Sequence, residues 1–398
     1  MTLVVVRDGN PHRMLTLPVW LELLREAARL GARVVATPAS PPIDLEPTGL
    51  ATGDLHELPD GATPAELAAL LRRLGASGVL SLSDPDPPRL RDARAADLAV
   101  GRGPDARGSA AAVAAAMHKG ITREACERHG IRVAPGAWTP RPRELTALPA
   151  AWGERLVVKE VDGWAGRGMV VHDSREAALA DLAGRRAPAV VEAFVAGEEV
   201  SVEVVGRVVA GWVLKGPSDL GVHPLFRLRY VPDLPLPPAL TSAVLAAIDA
   251  LGLDELVEAE LVGTAGEAWH LLEVNPRASG VTALLRAANG TGAPAVALRM
   301  AAGENPGLPA RRRCACEFSV PPDGWPALVR VAGGLESLVH LHATVTNAFW
   351  PRCYLAADSP RRLREDVERL ATVCGERLLT QLEARIARAR ELAAAVSA

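Results

Sequence analysis

The first 115 residues alternate short apolar, β-branched runs with longer stretches in which apolar residues recur at every third or fourth position. The runs "LVVV", "RVVAT" and "GVLSLS" are typical of strands, whereas "PVWLELLREAARLGA" and "TPAELAALLRRLGA" are typical of amphipathic helices. Thr63 and Pro64 occupy favoured N-cap and first-turn positions. This order predicts βαβ units and a small parallel sheet. No GxGxxG follows the first strand, which argues against a dinucleotide site there.

The pattern changes after about residue 109. The segment "GSAAAVAAAMHKGITREACERHGIRVAPGAW" predicts two helices that lead through Gly130 into an extended stretch. "ERLVVKEVDGWAGRGMVVHDSREAALADLAG" then predicts a strand, a glycine-rich turn, a strand and a helix. Strands around glycine turns and a helix feeding a strand follow, and the tail predicts two or three strands with charged amphipathic helices. This mixture predicts an α+β region rather than a second doubly wound sheet.

Bulk properties exclude several functional classes. The chain has 398 residues and a net charge of -3, so it lacks the basic excess expected of a protein that binds nucleic acid. No apolar run of about 18 residues and no cleavable leader pattern occurs, which predicts a cytoplasmic protein without a membrane partner. The five scattered cysteines fit reduced thiols. Cys314 and Cys316 have no second pair at zinc spacing, so buried thiols are favoured over a metal site.

A glycine-rich turn from Gly163 to Gly168 lies between the predicted strands "LVVK" and "MVV". Glycines allow consecutive backbone N–H groups to approach a phosphate without obstruction by Cβ atoms, and Lys159 could add a positive charge to the same ligand. A purely structural glycine hairpin would have the same sequence features. No GxxxxGK[ST] loop is present, which excludes a Walker A site.

The stretch "HLLEVNPRASG" places an acid, an amide and an arginine at alternate positions, Glu273, Asn275 and Arg277. Side chains two apart on a strand share one face, and a hairpin around "GTAGEAW" would bring Glu260 beside Glu273. Two carboxylates and an amide oxygen suit Mg²⁺, and Arg277 could bind a phosphoryl or acyl-phosphate oxygen. The alternative is an exposed strand with a cross-strand Glu–Arg pair.

The segment "VVEAFVAGEEVSVEV" predicts a third feature. Glu192 to Val195 could form an extended backbone edge that hydrogen-bonds an adenine, and Glu199 could accept ribose hydroxyls. A plain hairpin with solvated acids is the alternative for the same residues.

In this order and spacing the motifs resemble the ATP-grasp superfamily over roughly residues 100–300 and, more loosely, the whole chain. The resemblance carries over to these positions: nucleotide-binding Lys119 and Lys159, phosphate-loop Gly166 and Gly168, adenine-hinge Glu192, Phe194 and Val195, ribose-binding Glu199, metal ligands Glu260, Glu273 and Asn275, and catalytic Arg277 together with Lys159. Glu160 replaces the proline usual after the second lysine, and Trp164 and Arg167 are bulkier than the usual loop residues. These departures concern loop closure rather than nucleotide binding.

The resemblance implies an α/β and α+β ATP-grasp fold with three parts: an N-terminal βαβ domain over residues 1–115, a central lid over 116–200 and a C-terminal part with an extension over 201–398. It implies ATP and Mg²⁺ as cofactors, with Mn²⁺ as a substitute metal. The implied chemistry is attack of a substrate carboxylate on the γ-phosphate of ATP, followed by displacement of phosphate by an amine. The expected partners are small-molecule carboxylate and amine substrates, and the protein could be a homodimer.

The segment after the arginine favours a subclass. "RASGVTALLRAANGTGAP" resembles the small-residue loop of carboxylate-amine ligases that form amides or dipeptides, where Ser279 and Gly280 would lie near the acyl phosphate. The alternative is a carboxylase or another enzyme that activates bicarbonate or formate; the chain contains no Met-Lys-Met biotin acceptor. Arg227 or Arg229 could bind a substrate carboxylate, although ordinary surface arginines are the favoured interpretation of "HPLFRLRYVP".

Overall fold

The structure is a computed structural model. It describes residues 2–7, 17–36, 48–49, 51–57, 59, 62–81, 110–163, 168–218, 227–253, 256–264, 269–304, 313–320, 323–342 and 351–394. Its strands form three sheets, and within the described ranges no helix combines the length and the apolar character needed to cross a membrane.

The N-terminal sheet is parallel, as the alternation of short and periodic runs predicted. It contains strands β1 (Thr2–Arg7), β2 (Arg33–Ala36), β3 (Leu55–Glu57) and β4 (Ala76–Ser81) in the order β3-β2-β1-β4, with helices α1 (Leu17–Leu30) and α2 (Pro64–Arg73) between strands. Thr63 caps α2: its hydroxyl accepts the Glu66 N–H at 3.3 Å, and the Glu66 carboxylate accepts the Thr63 N–H at 2.7 Å. The predicted βαβ units and helix start are confirmed.

A four-stranded antiparallel sheet forms the central part. Helices α3 (Ala110–Met117) and α4 (Lys119–Arg128) precede its strands β5 (Gly136–Thr139), β6 (Leu156–Glu160), β7 (Val170–His172) and β8 (Ala189–Ala193), which lie in the order β5-β8-β6-β7. Helix α5 (Arg175–Gly184) packs on this sheet, and Leu182 contributes to an apolar core with Leu156 and Val158. β6 and β7 pair as antiparallel neighbours on either side of the glycine-rich segment, as predicted, and residues 164–167 of that segment lie outside the described part.

An antiparallel sheet of eight strands organises the rest of the described chain. Its strands are β9 (Glu198–Val205), β10 (Val208–Pro217), β11 (Arg229–Val231), β12 (Leu256–Gly263), β13 (His270–Asn275), β14 (Cys314–Ser319), β15 (Leu338–His342) and β16 (Arg352–Ala357), in the order β13-β12-β9-β10-β11-β14-β16-β15. The accompanying helices are α6 (Pro238–Leu251), α7 (Thr282–Asn289), α8 (Ala293–Ala301), α9 (Trp325–Ala332), α10 (Pro360–Cys374) and α11 (Arg377–Ala394).

The large sheet has one apolar face and one face rich in charge. Because side chains alternate along each strand, Val202, Leu214, Tyr230 and Leu355 point to one side, where α6, α10 and α11 cover them in the main hydrophobic core. Cys316 lies in the same core and, like Cys314, is a buried free thiol, as predicted. The opposite face carries the candidate site.

The alternative of a plain hairpin around Gly197 is wrong. β8 pairs with β5 and β6 in the central sheet, whereas β9 pairs with β10 and β12 in the large sheet, so the chain crosses between sheets at this glycine. A Cβ atom on Gly197 would lie 2.6 Å from the carbonyl oxygen of Gly263, so the crossing requires a residue without a side chain. The crossing joins β8, an inner strand of the central sheet, to β9 of the large sheet. The domain limits at 115/116 and 200/201 stay predictions.

Candidate active site

The β12–β13 hairpin sets a row of acids on the charged face of the large sheet. Glu260 lies opposite Glu273, and Glu258 lies opposite Asn275, in the antiparallel register of the two strands. The prediction that a hairpin brings Glu260 beside Glu273 is confirmed. Two carboxylates so placed repel each other unless cations lie between or beside them.

Lysines from two other elements supply those cations. Lys215 Nζ on β10 lies 2.7 Å from Glu260 Oε2, and Lys119 Nζ at the start of α4 lies 3.2 Å from Glu273 Oε2. Burial raises the pKa of Glu260, and Lys215 only partly opposes this because Glu258 and Glu273 are close. Burial also acts to raise the pKa of Glu273, but Lys119 and the hydrogen bond from Asn275 outweigh it and hold that pKa below its usual range. The two acids thus differ in how readily they carry charge.

Asn275 and Arg277 both contact Glu258. The Asn275 side-chain amide donates to Glu273 Oε1 at 3.0 Å and to Glu258 Oε2 at 3.3 Å, which leaves Oδ1 as the atom it would offer a cation. Arg277 Nη1 lies 3.5 Å from Glu258 Oε2 and donates to the Ala278 carbonyl at 2.9 Å. Arg277 is only 5% exposed. The alternative of an exposed cross-strand Glu–Arg pair is therefore wrong, although a catalytic role for Arg277 stays a prediction.

Among the described residues no three His, Cys, Asp or Glu side chains converge on one position suited to a metal ion. Glu260 and Glu273 each face a lysine instead. Two carboxylates with one amide oxygen still fit Mg²⁺, because this ion takes hard oxygen ligands and usually completes its shell with phosphate oxygens and water. The metal-ligand assignment stays a prediction.

The central sheet faces these acids across a cleft. Lys159 on β6 and Glu192 on β8 form a buried ion pair, with Nζ 2.6 Å from Oε1, and Arg123 of α4 lies 3.4 Å from the other Glu192 oxygen. Both lysines, Lys119 and Lys159, line a cleft whose opposite wall includes Leu271 of β13. The structure therefore brings the two predicted nucleotide-binding lysines together. It places the Glu192 side chain on Lys159, so only its main chain could serve the predicted adenine edge.

The predicted adenine hinge continues from β8 as an irregular segment. Phe194 donates its N–H to the Arg155 carbonyl at 2.9 Å, and the Arg155 guanidinium lies 3.9 Å from the centre of the phenyl ring. The Val195 carbonyl accepts the Ser218 hydroxyl at 2.9 Å. These contacts fix the conformation of the segment, while its adenine-binding role stays a prediction.

The predicted ribose carboxylate pairs with a predicted substrate residue. Glu199 Oε1 lies 3.2 Å from Arg227 Nη1. Arg227 is 5% exposed and Arg229 is 4% exposed. The interpretation of these residues as ordinary surface arginines is therefore wrong, because neighbouring strands and acids enclose them.

The glycine turn is described only in part. Gly166, Trp164 and Arg167 lie outside the described residues. Gly168 has a φ of 68°, and a Cβ atom there would lie 2.8 Å from the Glu160 carboxyl carbon, so this position favours glycine on both counts. At the start of the turn, Lys119 Nζ donates to the Gly163 carbonyl.

Hydrogen bonds to Glu203 on β9 hold the Ser279–Gly280 loop in place. The Ser279 hydroxyl donates to Glu203 Oε1 at 2.9 Å, and the Thr282 hydroxyl donates to the same oxygen. Burial raises the pKa of Glu203 to about 7. The nearby Glu258 also raises this pKa, whereas the hydrogen bonds from Thr282 and Ser279 lower it. The Gly280 carbonyl accepts Arg229 Nη1 at 3.0 Å. The Ser279 side chain therefore fixes the loop, and main-chain groups are what it could present to a substrate.

Comparisons with known proteins identify the architecture. No family model and no curated protein matches the sequence. Among solved structures, the L-amino acid ligase from Bacillus licheniformis has 17% identity and a TM-score of 0.70, with 94% of this chain and 97% of that chain covered. N5-carboxyaminoimidazole ribonucleotide synthetase from Thermus thermophilus has 19% identity and a TM-score of 0.70, with 94% and 99% covered.

A third solved structure is the biotin carboxylase domain of Hydrogenobacter thermophilus 2-oxoglutarate carboxylase, a dimer in complex with MgADP, ADP and bicarbonate. It has 16% identity and a TM-score of 0.64, with 93% of this chain and 89% of that chain covered. All three are ATP-grasp enzymes. The chain has the ATP-grasp fold.

Sequence reasoning missed four charged residues at this candidate site: Glu258, Lys215, Glu203 and Arg123. Glu258 had a usable signal, because it precedes Glu260 by two residues on the same strand and must share its face. Glu203 follows Glu199 and Ser201 at alternate positions and had the same signal. Lys215 and Arg123 meet their partners only through the tertiary fold, so the sequence pattern carries no signal for them.

Proposed function

We propose that this chain is an ATP-dependent ligase that activates a substrate carboxylate as an acyl phosphate and joins it to an amine, with release of ADP and phosphate. One observation carries the proposal: lysines of the central part line a cleft against strand β13, and one of them reaches the acids of the β12–β13 hairpin. Lys119 and Lys159 line it from the central side, and Lys119 Nζ reaches within 3.2 Å of Glu273 on the β12–β13 hairpin. The similarity of the fold to ATP-grasp ligases supports the same assignment.

Within this proposal ATP occupies the cleft between the sheets. The lysines neutralise phosphate charge, the main chain of the Glu192–Val195 segment faces the adenine, and Glu199 faces the ribose. The phosphate-binding role predicted for Gly166 and Gly168 belongs to the same proposal. Two similar solved structures, the biotin carboxylase domain and a carboxyaminoimidazole synthetase, hold ADP, which supports a nucleotide in this fold.

Mg²⁺, or Mn²⁺ in its place, would be held by Glu260, Glu273 and Asn275, and when bound it would neutralise charge on the phosphate oxygens. Each acid of the hairpin has one cationic neighbour, since Lys119 faces Glu273, Lys215 faces Glu260 and Arg277 faces Glu258. The support for a metal here is the donor set, two carboxylates and an amide oxygen, which are ligands that Mg²⁺ prefers.

The chain's own groups act in this reaction by position and charge. The substrate carboxylate attacks the γ-phosphorus, the bond to the β-phosphate oxygen breaks, and Arg277 with Lys159 stabilises the developing charge. The amine, in its deprotonated form, then attacks the acyl carbon, the acyl–oxygen bond to phosphate breaks, and the N–H proton that the amine loses passes to solvent as phosphate leaves. The Ser279–Gly280 loop presents main-chain groups beside the acyl phosphate, and Glu203 keeps the loop in place through Ser279 and Thr282.

The amine is assigned as an amino acid, which would form an amide or dipeptide bond. The similarity to an L-amino acid ligase supports this choice. The second candidate is activation of bicarbonate or formate, which the similarity to the biotin carboxylase domain solved with bicarbonate supports, at a TM-score of 0.64 against 0.70 for the L-amino acid ligase. Both candidates fit this fold, and they differ in the substrate on which ADP release depends.

Product analysis separates these candidates. Purified protein is incubated with ATP and Mg²⁺ and with pooled amino acids, bicarbonate or formate in parallel, and ADP, AMP, phosphate and pyrophosphate are measured. We expect amino-acid-dependent release of ADP and phosphate. ADP release that depends on bicarbonate or formate but not on amino acids would replace the ligase with the second candidate, and AMP with pyrophosphate would contradict the acyl-phosphate mechanism.

The setting of this activity is also a proposal. We assign the protein to the cytoplasm, with small molecules as its partners and a homodimer as its assembly. The biotin carboxylase domain is described as a dimer, which supports the assembly state by analogy. Sedimentation equilibrium of the full chain tests it, and a concentration-independent monomer mass would contradict it.

A further inference from the structure

A second charged cluster lies on the same face of the large sheet, beyond Lys215. It consists of Arg229 on β11, Glu317 on β14 and Arg352 on β16, which neighbour one another across the strands. Arg229 Nη1 lies 2.8 Å and Arg352 Nη1 lies 3.2 Å from Glu317 Oε1. The side chain of Arg229 is 5% exposed, that of Arg352 is 11% exposed and that of Glu317 is 3% exposed.

The cluster is not internally satisfied. Both arginines share the single oxygen Oε1, while Glu317 Oε2 and Arg229 Nε have no hydrogen-bond partner in the part of the chain that the structure describes. A buried polar atom of a charged group costs several kcal/mol if it stays without a partner. Two cations with one anion also leave the cluster with an excess positive charge. One acceptor and one donor therefore remain for a ligand, in a setting that favours an anion.

The cluster is continuous with the proposed active site. Arg229 Nη1 also donates to the Gly280 carbonyl at 3.0 Å, in the loop proposed to face the acyl phosphate. Helix α7 begins two residues later and covers the apolar part of this face, where Val231 and Ala315 pack with Leu284. The polar residues thus lie next to the covered region, at the side of the loop.

We propose that Arg229, Glu317 and Arg352 form the subsite for the amine substrate, and that this substrate is a zwitterionic α-amino acid. Its carboxylate binds the two guanidinium groups and its ammonium binds Glu317 Oε2. This inference rests on the proposed ligase function and names the substrate class of that site. Guanidinium groups suit carboxylates because they donate paired hydrogen bonds in one plane.

A competing explanation is a purely structural Arg–Glu–Arg triad. Buried triads of this kind can be replaced by apolar side chains with little loss, or even a gain, of stability. A structural triad would respond to substitution through stability and would leave the recognition of the substrate's two charges unchanged. A subsite would respond through the KM of the amine substrate.

The test uses the full-length protein with Glu317→Gln and Arg352→Met, and Arg364→Met as a matched control. Arg364 pairs with Glu383 on the C-terminal helices and is 47% exposed. ADP release is measured against amino acid concentration and against ATP concentration. For each test variant we expect the KM for the amino acid to rise about 10- to 100-fold, because one charge-assisted hydrogen bond is lost. The KM for ATP should stay within about twofold of the wild-type value. The control stays at wild-type values.

Amino acid amides, which lack the α-carboxylate, add a second readout. In the wild type they should show a KM about 10- to 100-fold above that of the parent amino acid, and Arg352→Met should reduce this difference. Unchanged amino acid KM values in both test variants would overturn the subsite while leaving the ligase assignment intact.

Direct binding separates the two proposals if the wild type releases no ADP with any amino acid. Isothermal titration with individual L-amino acids is then carried out on the wild type and on Glu317→Gln. Binding that weakens about 10-fold or more in the variant supports the subsite even though the ligase assignment has failed. No binding, or equal binding to both proteins, overturns it.

Discussion

The two ends of the charged face of the large sheet differ in their balance of acids and bases. At the β12–β13 end, Glu258, Glu260 and Glu273 form a group of acids. At the β11–β14–β16 end, two arginines share one acid, Glu317. Both groups arise from the same strand alternation, in which every second side chain points away from the apolar core. At the first end Lys119, Lys215 and Arg277 balance the three acids, whereas the second end keeps an excess of positive charge and favours an anion.

The two ends also differ in where their counter-charges originate. At the arginine end all three side chains lie on neighbouring strands of one sheet. At the acid end, Lys119 comes from α4 and also donates to the Gly163 carbonyl of the glycine turn. The acid end is therefore completed by the central part of the chain, and a ligand there would contact both parts. The charged side chains of the arginine end all come from the large sheet.

The largest effect is expected at the acid end, from Glu273→Gln. The amide keeps the shape of the side chain but removes the charge that faces Lys119, and an amide is a weaker ligand for Mg²⁺ than a carboxylate. We expect ADP release to fall by about 10³-fold, a typical loss for a group that stabilises charge in a transition state. Turnover is measured with ATP and pooled amino acids, with Glu368→Gln on an exposed helix position as control.

Arg277→Ala is a less clean test of the same end. Arg277 is buried against Glu258, so its removal should abolish turnover and also destabilise the fold, by about 3 kcal/mol or more. Circular dichroism and urea unfolding separate these effects. Wild-type turnover in both Glu273→Gln and Arg277→Ala would contradict the assignment of the acid end to catalysis.

A smaller effect is expected from removing the counter-charge in Lys215→Met. Glu260 would then remain buried without its 2.7 Å partner, which should lower the free energy of unfolding by about 3 to 5 kcal/mol. Urea unfolding measures this, and Lys215→Met/Glu260→Gln should recover most of the loss because it also removes the unpaired carboxylate. Arg361 pairs with Glu365 and its side chain is 89% exposed, so Arg361→Met should change stability by less than about 1 kcal/mol. Equal stability of Lys215→Met and wild type would show that the acids do not depend on internal cations.

The sequence predicted the acid end far better than the arginine end. Glu260, Glu273 and Asn275 lie close along the chain and are joined by a hairpin, so alternation and turn length were enough to place them together. Arg229, Glu317 and Arg352 come from strands far apart in the chain, whose order in the sheet no local pattern indicates. The same limit explains the wrong hairpin at Gly197, where consecutive strands enter different sheets.

The smallest effect is expected from Glu203, which accepts hydrogen bonds from Ser279 and Thr282 and so fixes the loop between the two ends. Burial raises the pKa of Glu203 to about 7 from an ordinary value of 4.5, so between these pH values the native protein holds a proton that the unfolded chain releases. Stability from this group is present below about pH 4.5 and is lost as the pH rises toward 7, by at most about 3 kcal/mol. Glu203→Gln keeps a neutral side chain at all pH values. We expect urea unfolding from pH 5 to 8 to show this decline in the wild type and a flatter profile in Glu203→Gln, with Glu391→Gln as an exposed control. Parallel profiles for the wild type and Glu203→Gln would mean that Glu203 is charged in the native protein. The loop between the two ends would then rest on a charged carboxylate rather than on a neutral acid.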